Sequence, residues 1–302
     1  MLQKSMIVAG IIASISGIQW IYDIPATPQI VSLNNTSTPI GETCVRESHL
    51  QPLDNNGVVS LLVWNVEQLG QEWLPKLKVI SQQKSLTLLQ DTSLTSDFTQ
   101  WLKAEGHSAY YADAFSLLER SYGVMTLSKV SPLQACVYTQ KEPWIQLPKS
   151  TLLTHYSLSN GQRLAVVNLH AVNYSFDLTD YKRQFNDVLQ ALTHHKGPMI
   201  VAGDFSSWNE ERESFVKQRL YKAGLREVSY SGVSDNALET GLVLKHVFYR
   251  GLMVTQAERA EPQYLADEPS QVQFRIEHNL LEHAYQAEKV SFLWNKKMQN
   301  LK

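Results

Sequence analysis

The sequence predicts an α/β fold in which two β-sheets pack face to face with helices outside. Three observations carry this. Segments with strand patterning outnumber helical ones, and several follow one another directly, which a simple doubly wound sheet does not produce. Amphipathic helical segments are interleaved among them. The 302 residues are 43% hydrophobic, enough to bury a sizeable core and exclude global disorder.

Strand and helix alternate from Val58 onward. Val58–Val66 is an apolar run of buried-strand length. Glu72–Gln83 spaces Trp73, Leu77 and Ile80 as a helix does, with Pro75 tolerable in its first turn. Leu86–Leu89 is a short strand, and Ser96–Glu105 a helix stopped by Gly106. Gly123–Leu127, Trp144–Leu147, Ser150–Ser157 and Arg163–Leu169 read as strands. Leu178–His194 repeats Tyr181, Phe185, Val188, Leu189 and Leu192 on one helical face. Met199–Ala202 is a buried strand ending in Gly203-Asp204, and Asn209–Ala223 is a helix followed by Gly224. Leu242–Tyr249, Leu252–Ala257 and Val272–Ile276 complete the strands.

The N-terminus differs in kind. Lys4 precedes an uncharged, mostly apolar stretch, Ser5–Tyr22, closed by Asp23 and Pro25. Residues 1–22 read as a signal peptide or membrane anchor, which puts the rest of the chain outside the cytoplasm, periplasmic or secreted. Residues 23–56, rich in Pro, Ser, Thr and Asn, read as an extended linker to a domain over 57–302. The two cysteines, Cys44 and Cys136, exclude a disulfide-dense scaffold and a four-cysteine zinc site. The predicted compartment permits them to pair.

Net charge does not indicate a basic nucleic-acid surface, though it leaves a local patch open. Removing Lys4 and Arg46 from the 27 basic residues, and Asp23, Glu42, Glu47 and Asp54 from the 29 acidic ones, leaves 25 of each in 57–302. Nucleic acid stays a compatible substrate without support from net charge.

Polar residues recur where predicted strands end: Asn65, Asp91, His170, Asp204 and His278. An Asp or Asn there is usually a turn or cap residue. Five such endings, all of types that bind hard cations or move protons, point instead to one shared rim.

In this order, Trp64-Asn65, Leu89-Gln90-Asp91, Asn168-Leu169-His170, Gly203-Asp204-Phe205 and Glu277-His278-Asn279 resemble the endonuclease/exonuclease/phosphatase superfamily, which includes deoxyribonuclease I. The 62–65 run, Glu72-Trp73, Gly123–Ser128, Asn168–Ser175, Gly197–Phe205 and Val247–Leu252 resemble its bacterial YafD-type branch. The resemblance spans about 57–282. It implies a four-layer α/β/β/α sandwich and Mg²⁺-dependent phosphoester hydrolysis, with Mn²⁺ as a substitute. Asn65, Asp91 and Glu277 are then the expected metal-site residues. Asp204 would position or deprotonate water, with Ser206 beside it, while His170 and His278 would contact phosphate and assist proton transfer. Asn173, Tyr249 and Lys245 are the expected substrate contacts, and Glu67 a candidate second carboxylate. A monomer acting on a phosphorylated substrate follows, held to a membrane if residues 1–22 stay uncleaved.

The chain also departs from the family pattern. Asp91 stands where the family carries Glu, Ser206 where it carries Asn, and Lys245 where it carries Asp. Lys245 would then lie behind His278 with the wrong sign of charge to support an imidazolium. Glu277 stands in the family's Ser-Asp-His triplet, after an apparent insertion around Pro262–Gln271. These departures motivate a second reading: a degenerate member that binds a phosphorylated ligand or a protein partner without turnover.

Overall fold

A computed structural model describes residues 22–33, 43–48, 51–66, 73–118, 120–174, 177–230, 244–259 and 269–277. Three short strands come first: β1 (Tyr22–Asp23), β2 (Gln29–Ser32) and β3 (Cys44–Arg46). Then follow β4 (Val58–Asn65), α1 (Trp73–Ile80), β5 (Leu86–Thr92), α2 (Ser96–Ala104), β6 (Ser108–Leu117) and β7 (Arg120–Ser128). The second half runs β8 (Gln134–Lys141), β9 (Pro148–Ser157), β10 (Arg163–His170), α3 (Thr179–Ala191), β11 (Met199–Asp204), α4 (Glu210–Lys222), β12 (Arg226–Glu227) and β13 (Lys245–Arg250). β14 (Leu252–Arg259) and β15 (Ser270–Ile276) end the described chain.

One sheet has the order β1-β6-β7-β5-β4-β15-β14, with β2 also on β6; the other runs β12-β13-β11-β10-β9-β8-β3. Each is built around a parallel pair, β4 with β5 and β10 with β11. A parallel pair needs a crossover, and here the crossovers carry α1 and α3. Period-2 alternation assigns the faces. Val59, Leu61 and Val63 of β4 meet Leu164, Val166, Ile200 and Ala202 in the core between the sheets. Leu62 and Trp64 face outward against Trp73, Leu77, Phe98 and Trp101. On the far side Tyr181, Phe185, Val216 and Leu220 cover Val167, Val201 and Phe248. The result is the four-layer sandwich, helices outside.

The sheets are also bolted together by a polar contact. The fully buried Asn168 accepts from Gln90 Nε2 at 2.7 Å and donates through Nδ2 to Met125 O at 2.8 Å and Leu89 O at 3.2 Å. A buried amide satisfied on both sides fixes the relative register of the two sheets, because a slip would leave it unpaired.

The segment read from sequence as a linker is part of the sheets. β1 and β2 pair with β6, and β3 pairs with β8, bringing Cys44 opposite Cys136, where the two are disulfide-bonded. Ile30 and Leu53 are buried, and Asp54 accepts from Gly57 N, Ser159 N and Ser159 Oγ. The low apolar content misled because short edge strands bury only alternate side chains. Trp144–Leu147 is a turn rather than a strand, with Trp144 and Ile145 exposed. β6 and β8 had no sequence expectation. Residues 1–21 lie outside the described residues; among those described, no helix is long and apolar enough to cross a membrane.

Candidate active site

The C-terminal ends of the four parallel strands open on one rim. Asn65 and Asp91 come from one sheet, His170 and Asp204 from the other. Asn65 Nδ2 donates to Asp204 Oδ2 at 3.0 Å, and His170 Nδ1 lies 2.9 Å from Asp91 Oδ1. His170 and Asp204 are direct register partners, so the two pairs are neighbours. Two backbone devices aim these groups. The register of β5 against β7 shifts between Leu89 and Thr92, and Asp91 within that irregularity has φ +49°, a left-handed conformation Asp tolerates. Gly203 has φ +141°, and a Cβ there would lie 2.0 Å from Leu169 O. Only glycine lets β11 approach β10 closely enough at this point.

Asp204 is held on several sides. Its Oδ1 accepts from Ser206 N at 2.8 Å and from Ser206 Oγ at 3.3 Å, with Ser206 itself at φ +46°. Lys245, 8% exposed, is its register partner on β13. The loops around the rim are pinned by two buried charges. Arg212, on a helix capped by Asn209, donates to Val172 O at 2.8 Å, Ser206 O at 3.0 Å and Asn173 O at 3.0 Å. Its guanidinium stacks between the rings of Tyr181 and Trp208, at 4.4 and 4.8 Å. Glu142, fully buried, accepts from Asn173 N at 2.7 Å and Tyr174 N at 2.9 Å. Asn173 thus has a backbone fixed from both sides.

Lys149 enters the rim from β9. Its Nζ lies 3.1 Å from His170 Nε2 and 3.4 Å from Asp91 Oδ1. One tautomer satisfies the ring: Nδ1–H donates to Asp91, and Nε2 accepts from the ammonium. Sequence reading missed Lys149, Glu142 and Arg212. The only signal for Lys149 was a lone cation next to an apolar strand, which usually marks a solvated end.

Of the expected metal-site residues, Asn65 and Asp91 reach the rim and Glu277 does not. Among the described residues no group of three His, Cys, Asp or Glu side chains is placed to hold a metal. Asn65 Nδ2 donates to Asp204, and Asp91 already has an ammonium at its carboxylate. Two unit charges 4 Å apart repel by about 4 kcal/mol at an effective dielectric of 20, and a divalent ion doubles that. Glu277 is on the wrong edge. β15 runs antiparallel to β4, with Ser270 opposite Val63 and Arg275 opposite Val58, so its C-terminal end leaves from the edge remote from Asn65. The length of β4, about 23 Å, separates those edges. Glu277 instead lies half-exposed, 3.6 Å from Arg226. The strand end that reaches the rim is Ser270, so the expectation that put Glu277 there fails. His278 and Glu67 lie outside the described residues.

Tyr249 is also displaced from its expected role. It pairs opposite Ile200, about 13 Å along β13 from Lys245. Its ring packs on Phe274 beneath the Arg226 guanidinium, so it is a partly buried residue at the edge of the core. Next to the rim, Ser207 Oγ lies 2.9 Å from His246 Nε2, and His246 Nδ1 lies 2.5 Å from Glu227 Oε1. Ser207 and His246 are sealed from solvent, so the row is a structural relay. Burial pushes Glu227 up, but the hydrogen bond and charge of His246, with Lys217 beyond, outweigh it and hold the carboxyl below its usual range. His195 lies at the other end of the strands, donating through Nε2 to Pro198 O, and its ring neighbour His155 is pushed down to about 4 by burial, with His195 and Arg163 adding to the shift.

Two facing sheets, outer helices and a polar rim on the parallel-strand ends define an α/β/β/α sandwich with a candidate site at one edge. The chain matches the Endonuclease/Exonuclease/phosphatase family over residues 63–270 and belongs to it. A UPF0294 protein of Vibrio campbellii is 40% identical over 268 residues, covering 88% of this chain and 95% of its own. A UPF0294 protein of Yersinia pseudotuberculosis is 36% identical over 208 residues, covering 68% and 80%. Among solved structures, ANGEL2, described as a 2′,3′-cyclic phosphatase, superposes with a TM-score of 0.58 at 14% identity, covering 73% of this chain and 96% of its own. An endonuclease/exonuclease/phosphatase from Beutenbergia cavernae gives 0.56 at 13% identity over 72% of each chain. These structural likenesses establish the fold.

Proposed function

We propose that the rim binds the phosphoryl group of a phosphoester and directs a water molecule at it. The observation that carries this reading is the convergence of Asn65–Asp204 and Asp91–His170 on one edge of this family's fold. In this reading Asp204, oriented by Asn65 and Ser206, accepts the proton of the attacking water. The water oxygen bonds to phosphorus, and the bond to the leaving oxygen breaks. His170 and Lys149 hydrogen-bond the phosphoryl oxygens and stabilise their charge. The 2′,3′-cyclic phosphatase description of ANGEL2 and the DNA-product complex of zebrafish TDP2 support phosphoester chemistry in general. Nucleic acid, a phospholipid headgroup and a sugar phosphate all fit such a centre. No step above is routed through the family's divalent metal; among the described residues no three His, Cys, Asp or Glu side chains cluster to hold one.

A second reading, ligand binding without turnover, is favoured by one observation: Lys149 already engages Asp91. The test is a phosphoester screen on the full chain, with and without Mg²⁺ or Mn²⁺, beside Asp204→Asn and His170→Ala. Hydrolysis lost in both variants supports the enzyme reading. Binding without hydrolysis by the wild type supports the second. We also propose an extracytoplasmic monomer whose residues 1–22 act as leader or anchor. The Cys44–Cys136 bond supports that compartment, since such bonds persist where thiols are not kept reduced.

A further inference from the structure

Resting on that phosphate-binding reading, we propose that Lys149 is the resident cation of the phosphate subsite, standing where the family would use a divalent metal, so that phosphate binding here is metal-independent. The ammonium is built in. Its backbone belongs to a central strand, paired with Gln140 of β8, rather than to a loop. Its side chain is 18% exposed, and the partners Asp91 and His170 are 15% and 7% exposed. An ammonium carries three N–H donors. Asp91 Oδ1 at 3.4 Å and His170 Nε2 at 3.1 Å account for two of them. The third remains for an oxygen of an incoming phosphoryl group, and a lysine serves such an oxygen as a point charge.

The other side of the rim follows the same logic. Asp204, the second rim carboxylate, has Lys245 as its register partner. Each carboxylate that would help attract a metal thus has a lysine associated with it in the fold. The shortened carboxylate Asp91 and the cation beside it are complementary: a charge-balanced pair needs no ion from solution.

The experiment titrates the full chain with inorganic phosphate by calorimetry, in chelator and then in Mg²⁺, and with Mn²⁺ alone by paramagnetic resonance. The expected result is saturable phosphate binding in chelator, changed less than about twofold by Mg²⁺, with no stoichiometric Mn²⁺ site at the rim. Lys149→Ala and Lys149→Gln should weaken phosphate binding by about tenfold or more, whereas Lys149→Arg should recover part of it. Lys149→Gln keeps most of the side-chain stem and so guards against a folding defect in the alanine variant. Phosphate binding that requires Mg²⁺ or Mn²⁺, a stoichiometric Mn²⁺ site abolished by Asp91→Asn, or Lys149 variants that bind like wild type would each overturn the proposal. A wild type that binds no phosphate in either buffer overturns it too. A wild type that binds phosphate in chelator through Lys149 yet hydrolyses no phosphoester leaves it standing and removes only the hydrolytic reading.

Discussion

Replacing Arg212 by lysine keeps the charge and removes the fork. The guanidinium donates to Val172 O, Ser206 O and Asn173 O from a fully buried position. A hydrogen bond to a charged group contributes about 1.5–3 kcal/mol. A lysine ammonium at the same depth reaches one of the carbonyls. The two lost bonds therefore cost about 3 kcal/mol at the low end, with the stacking on Tyr181 and Trp208 lost besides. For a domain of this size that corresponds to a melting temperature lower by roughly 6–12 °C. The loss should extend to function, because Ser206 O is one of the acceptors and Ser206 N holds Asp204. Urea denaturation of wild type, Arg212→Lys and Arg212→Met gives the stabilities, and phosphate titration gives the site. A cost below about 0.5 kcal/mol for Arg212→Lys would refute the reasoning, since it would mean that the carbonyls find other partners.

Asp113 is pushed up to about 6, first by burial and then by the charge of Asp23, and its Oδ1 has no hydrogen-bond partner among the described residues. A raised carboxyl holds its proton longer in the folded state, so its contribution is lost as pH rises from the ordinary carboxylate range through about 6. Asp113→Asn should therefore stabilise the protein by about 1 kcal/mol at pH 8, after discounting for partial exposure, and change little at pH 4; equal melting shifts at both values would contradict this. Cys44→Ser should destabilise by about 2–5 kcal/mol, because the bond closes a sequence separation of 92 residues, and the same loss should follow when the wild type is reduced. Gly203→Ala should destabilise by several times the ordinary penalty of about 1 kcal/mol for a strained glycine site, since the new Cβ meets a backbone carbonyl that cannot give way. Soluble, fully active Gly203→Ala would show that the two strands can part.

Regular hydrophobic patterning made the sandwich legible. β4, β10 and β11 are near-continuous apolar runs buried on both faces, and α3 buries one face at the helical period; the sequence shows both signatures directly. β6 and β8 escaped because Tyr, Ser, Asp and Gln at their alternate positions are satisfied by sheet pairing and tertiary contacts that periodicity does not report. Asn65, Asp91, His170 and Asp204 were legible because each follows an apolar run. Ser206 and Lys245 were legible as departures from a family pattern, and both stand at the rim beside Asp204. Glu277 misled because motif order says nothing about strand direction: β15 brings its first residue to the rim, not its last. Lys149 had no pattern to announce it. Its meaning comes from Asp91 and His170, 58 and 21 residues away in sequence.

The pairing of β15 with β4 also sets a timetable. β4 acquires β5 within a few tens of residues, but its other edge stays open until Ser270–Ile276 is made, about 210 residues after Asn65. At roughly 5–20 residues per second, ribosomal synthesis leaves that edge bare for about 10–40 s. The exposed stretch, Val58-Val59-Ser60-Leu61-Leu62-Val63, is apolar, uncharged and free of proline, which is the composition that templates strand addition from a second chain. Yield during expression should therefore depend on whatever shields those six residues in that interval, and a nascent chain stalled before residue 270 would keep its adhesive edge permanently.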